Sequence, residues 1–99
     1  KKIEGLGLGV MALTDKDRSE YNIPADVEGV LIGDVEDGSE AVKKGLAAGD
    51  VIVEINQQKV LTPQDAIDIV TAAQTAKRSS VLLLINREGD VRFVALRLN

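Results

Sequence analysis

The sequence predicts a small α+β domain that is mostly β: a partly open barrel or sandwich of five to six strands, with two to three helices at its openings. Three observations lead there. Strand-type segments alternate with short, well-capped helical segments along all 99 residues. Hydrophobic residues make up 44% of the chain, enough for a single core at this length. With Tyr21 and Phe93 the only aromatics, that core is built from Val, Ile, Leu and Ala. No internal repeat or low-complexity stretch breaks the order, so residues 1–99 read as one domain.

Leu8 to Leu13 is apolar but for Gly9 and reads as a strand. Thr14, with Asp17 three residues on, approximates a capping box and opens a short helix to Tyr21, which Pro24 closes. Val30, Leu31, Ile32 and Val35 form a buried strand between Gly29 and the turn Asp37-Gly38. Ser39 caps a helix over Glu40 to Lys44, stopped by Gly45. Val51 to Ile55 is the next strand. Thr62 followed by Pro63, with Asp65 after the cap, is the strongest helix start, and the helix runs about 13 residues to Ala76. Val81 to Asn86 and Val91 to Leu98 pair as a hairpin through Glu88-Gly89-Asp90.

Composition removes several functions. A net charge of −4 without a basic stripe argues against nucleic acid. The absence of histidine removes the usual general base, the Ser-His-Asp triad and most catalytic zinc sites, and the absence of cysteine removes thiolate chemistry and disulfides. Ser39, Ser79 and Ser80 sit where caps and turns need a hydroxyl, which argues against a Ser-Lys dyad with Lys43 or Lys77. Asp34, Glu36 and Asp37 read as solvated turn acids. Asp15-Lys16-Asp17-Arg18-Ser19 starts like a calcium loop, but Glu20 stands where that loop needs glycine. Gly5-Leu6-Gly7 is not a dinucleotide fingerprint, because a strand follows it and the third glycine position is Val10. The expectation is a binding module with no catalytic residue, no metal and no cofactor. The longest apolar run, Val81 to Ile85, is far short of the roughly 20 residues that cross a bilayer.

Two features point to a peptide site. Gly5, Gly7 and Gly9 leave the backbone unshielded, so amides near Leu6, Gly7 and Leu8 can converge on an anion such as a terminal carboxylate. The helix after Thr62 has two apolar edges at 100° per residue: Ala66, Ala73 and Ile69 cover the core, and Pro63, Ile67 and Val70 are left to line a groove.

Gly5-Leu6-Gly7-Leu8, the central Gly45-Leu46-Ala47-Ala48-Gly49-Asp50-Val51-Ile52 followed by Ile55-Asn56, and Asp65-Ala66-Ile67-Asp68-Ile69-Val70 on a helix together resemble a PDZ domain over nearly the whole chain. More narrowly, Leu13-Thr14, Ile23-Pro24, Asn86-Arg87 and Phe93-Val94-Ala95-Leu96 resemble the second PDZ domain of Do/HtrA-type serine proteases. The resemblance implies a guest chain added as a strand beside Leu8, Gly9, Val10, Met11 and Ala12. Its carboxylate would lie in the loop Gly5, Leu6, Gly7, Leu8, and its last side chain among Leu6, Leu8, Ile67 and Val70, with Pro63 on the groove wall. Pro63 stands where many PDZ domains carry a histidine for a ligand hydroxyl, so the expected ligands are polypeptide C termini or unfolded segments with an apolar final residue. The resemblance further implies an attached trypsin-like protease domain and neighbouring subunits as partners, and a periplasmic location. An alternative within it is a docking domain whose groove is idle, or a PDZ domain of another bacterial protease or secretion system. Opening on Lys1 and entering strand-like sequence at both ends, the chain is expected to be a piece of a longer protein.

Overall fold

The computed structural model describes residues 1–3 and 5–98. Seven strands form one open antiparallel sheet: β1 (Lys2–Ile3), β2 (Leu8–Ala12), β3 (Val30–Val35), β4 (Val51–Ile55), β5 (Gln58–Lys59), β6 (Ser80–Arg87) and β7 (Asp90–Arg97). The order across the sheet is β1-β2-β3-β4-β6-β7, with β5 attached to β4. Three helices complete the fold: α1 (Asp15–Glu20), α2 (Glu40–Lys43) and α3 (Pro63–Thr75). Against the five to six strands expected, the two that no sequence segment announced, β1 and β5, have two residues each, too few to show alternation.

Local chemistry places the helices. Thr14 and Thr62 each accept the amide of the residue three positions on, while Asp17 and Asp65 reach back to the cap backbone. Both are full capping boxes, each contributing about 1 kcal/mol. Pro63 then opens α3 at the position where its missing N–H costs nothing. Helix α1 stops before Pro24 acts, because Tyr21 caps it and Asn22 turns to φ 54°.

The turns follow the same logic. Arg87 pairs with Asp90, so β6 and β7 are joined by the two residues Glu88 and Gly89, both at positive φ as a type I′ turn requires. Asn56 and Gln57 make the equivalent turn between β4 and β5. Gln57 lacks the usual glycine there, and Asn56 compensates by bonding the Leu82 backbone through both its main chain and its side chain.

One core gathers Val30, Ile32, Ile52, Ile55, Leu83, Ile85 and Leu96 from the sheet with Ala66, Val70 and Ala73 from α3. A smaller cluster of Ile23, Leu31 and Val51 lies on the other face under Tyr21. The Glu20 carboxylate, with lesser help from burial and Asp17, raises the Tyr21 pKa above its ordinary value. A phenol with a raised pKa stabilises the fold below its unfolded value, and that contribution is lost as alkaline pH rises through the folded one. Tyr21 is the only tyrosine and there is no tryptophan, so absorbance at alkaline pH reads it alone. Glu20→Gln should lower its midpoint; an unmoved midpoint would show that Glu20 is not the cause.

The candidate peptide groove

Alternation along β2 turns Leu8 and Val10 into the core, 1% and 2% exposed, and leaves Gly9 half-buried on the outer face. One edge of β2 pairs with β3 throughout. The other edge meets β1, with Lys2 opposite Gly9 and Ile3 opposite Leu8. Beyond them Lys1 and Val10 exchange two backbone bonds, Lys1 N to Val10 O at 2.8 Å and Val10 N to Lys1 O at 2.6 Å. Helix α3 packs against both β1 and β2, so Lys1–Ile3 lies between the strand edge and the helix. Met11 and Ala12 continue the edge exposed, without a strand partner on that side among the described residues.

The loop from Gly5 to Gly7 turns at φ 90° and φ 70°, left-handed values that favour glycine. At Gly7 a side chain would also meet Ser39 Cβ at 2.8 Å. The loop is anchored by the Gly7 carbonyl, which accepts the Glu36 amide at 2.8 Å. Leu6 is buried, and its amide donates to the Ile3 carbonyl at 3.3 Å. Behind the loop a cleft of about 440 Å³ is lined by the acidic residues Glu36, Asp37 and Glu40 together with Arg97.

Of the residues expected to form the pocket, Leu6, Leu8 and Val70 are buried in the core, while Pro63 and Ile67 are half-buried. The expected division of α3 into two apolar edges therefore shifts. Val70 is covered with Ala66 and Ala73, and Ile67 and Ile69 flank that stripe, each packed on the core from one side. Ile3, 2% exposed, joins the same cluster as Leu6, Leu8 and Val70. Two further residues escaped the sequence reading. The Lys1 ammonium donates to Gln64 Oε1 at 2.8 Å, and the Gln64 amide in turn donates to Asp68 Oδ1 at 2.8 Å. Gln64 and Asp68 are exposed polar positions four apart on α3, so nothing in the sequence separates them from an ordinary solvated face.

The signature Gly49-Asp50-Val51 holds the far end of β4. Asp50 is 1% exposed and takes two bonds from Arg87, Nε at 2.6 Å and an Nη at 2.8 Å, plus the Ala47 amide at 3.0 Å. That fork raises the Arg87 pKa.

A family profile described as PDZ domain matches residues 31–87. A relative in Brucella suis, named probable periplasmic serine endoprotease DegP-like, is 42% identical over 74 residues. That alignment takes in 75% of this chain and 14% of the relative, so the chain spans about a seventh of the relative's length. Among solved structures, the HtrA-type protease AlgW with a decapeptide superposes with a TM-score of 0.77 at 24% identity, over 95% of this chain and 28% of that one. The HtrA3 PDZ domain bound to a phage-derived ligand superposes with a TM-score of 0.70 at 20% identity, over 95% and 83%. These structures share the fold. No helix among the described residues is long and apolar enough to cross a membrane. The chain belongs to the PDZ domain family and is homologous to the PDZ regions of DegP/HtrA-type periplasmic serine proteases.

Proposed function

We propose that this domain captures C-terminal or extended polypeptide segments by strand addition beside Leu8–Ala12, and that it recruits them to, or regulates, an attached trypsin-like serine protease in the periplasm. The observation that carries this reading is the space between β2 and α3, which accommodates an extended segment in antiparallel register with an aliphatic side chain in the core. A guest would gain main-chain bonds to Leu8 and Val10 and, with its carboxylate at the Leu6 amide, a charge-assisted bond. Ile67 and Val70 would flank its last side chain, and Pro63 would offer nothing to a ligand hydroxyl. The HtrA3 PDZ domain bound to a phage-derived ligand and the HtrA-type protease AlgW with a decapeptide support a peptide-binding role.

The test titrates peptides with apolar C termini, each beside its amidated twin, against the wild type and Ile67→Asp. Amidation removes a charged acceptor and should weaken binding by about tenfold or more, and Ile67→Asp should weaken it by a similar factor. Equal affinity of free and amidated peptides would overturn the carboxylate site.

A second reading, docking against neighbouring subunits with an idle groove, is favoured by one observation. Val91 and Phe93 on the edge strand β7 are 60% and 63% exposed. Absence of binding by every peptide would favour it.

A further inference from the structure

We infer that Lys1-Lys2-Ile3 is a resident ligand mimic, that outside strands bind by displacing it, and that its side chains define the class of strand accepted. This rests on the peptide-binding reading above. The segment runs antiparallel to β2 toward the glycine loop, the direction required of a guest whose C terminus ends there. It lies between β2 and α3. Ile3 is opposite Leu8 and buried in the same core cluster as Leu6 and Val70, where a guest's final side chain would go. The Ile3 carbonyl takes the Leu6 amide, the donor proposed for a terminal carboxylate.

The segment is built to leave as well as to bind. It is held at the sheet edge by the Lys1–Val10 bonds and the Lys2 and Ile3 pairs, Lys2 is exposed, and Gly5 and Gly7 in the adjoining loop are glycines at positive φ. A short edge strand anchored by one buried side chain opens locally at far lower cost than the sheet interior. An intramolecular competitor weakens apparent affinity by the fraction of molecules in which the groove is open.

The mimic also describes its replacements. Ile3 belongs to the aliphatic core cluster, which calls for an aliphatic final residue. Two residues earlier, the Lys1 ammonium meets Gln64, whose amide is held by Asp68, so that position calls for a basic side chain. The ligand class is a polypeptide C terminus reading basic, any residue, aliphatic.

A disulfide tests this directly, because the chain has no cysteine of its own. Lys2 and Gly9 face each other next to the bond-exchanging pair Lys1–Val10, hence at a non-exchanging position with closely spaced Cα atoms suited to a disulfide. In the double variant Lys2→Cys, Gly9→Cys, oxidation should weaken binding of a labelled decapeptide ending Lys-Ala-Ile by about tenfold or more, and reduction should restore it. Single-cysteine variants should show no redox effect. A decapeptide ending Glu-Ala-Ile should bind the reduced protein about tenfold more weakly, the scale of one favourable charged contact replaced by repulsion. Ile3→Ser removes the anchor and should tighten binding while speeding hydrogen exchange at the Val10 amide.

Equal, measurable affinity of the oxidised and reduced forms overturns the mimic and leaves the groove reading standing. Equal affinity for the Lys and Glu peptides overturns the ligand class. No binding by the reduced double variant or by Ile3→Ser, with both folded by circular dichroism, overturns the groove reading and the mimic with it.

Discussion

Arg87→Ala is expected to destabilise the domain by about 2–3 kcal/mol, lowering its melting temperature by roughly 10–20 °C. Asp50 is buried and spends both carboxylate oxygens on the Arg87 fork, which also reaches the Gly45 carbonyl at 2.7 Å. Removing the guanidinium leaves that carboxylate with the Ala47 amide alone. The full penalty for stranding a buried charge, about 3–5 kcal/mol, is reduced because the Arg87 side chain is 43% exposed and water replaces part of it. Asp50→Asn can keep an acceptor for Ala47, but its NH2 then faces the Arg87 Nε donor, so it loses the charge and one bond of the fork and should destabilise the domain as well. Urea denaturation of both single variants and the double variant gives the coupling between them. A loss below about 0.5 kcal/mol for Arg87→Ala would place the pair among surface ion pairs of little consequence.

Gly29→Ala should be at least as damaging, by about 3 kcal/mol or more, and at that level yield little folded protein. Gly29 is buried at the entry to β3, and a Cβ there would collide with the Ile52 carbonyl oxygen and lie 2.9 Å from Val51 Cγ1. The clash is with the backbone of the adjacent strand, so relief requires β3 and β4 to separate where both line the core. Gly38→Ala is the control: its φ is 76°, but no atom lies within 4 Å of the added methyl. Its cost is the left-handed backbone alone, about 1–2 kcal/mol. Chemical denaturation compares the two, and a Gly29→Ala loss no larger than that of Gly38→Ala would show that β3 and β4 separate without strain.

Much of this architecture is legible in the sequence because it rests on residues a few positions apart. Thr14 with Asp17, Thr62-Pro63 with Asp65, and Glu88-Gly89 between two alternating segments each carry their own instruction, and the structure follows all three. The turn at Asn56-Gln57 was less visible, since only Asn56 hints at positive φ and the bonds that hold it come from Leu82, across the sheet. On α3 the angular positions of the apolar residues are correct, yet they cannot say which edge is covered. Val70 is buried in a core cluster that also draws Ile3 from another part of the chain.

By itself the sequence determined the mostly β class, the order and caps of the long elements, an aliphatic core, the exclusion of histidine and cysteine chemistry, and the PDZ signature. These depend on composition and short-range spacing, which no distant contact can rewrite. Only the tertiary structure decided what lies along the free edge of β2 and why the signature aspartate is there. Lys2–Ile3 is too short to announce itself as a strand, and Asp50 meets an arginine 37 residues away. Strand pairing and buried ion pairs join residues that are remote along the chain, so neither leaves a periodic trace in it.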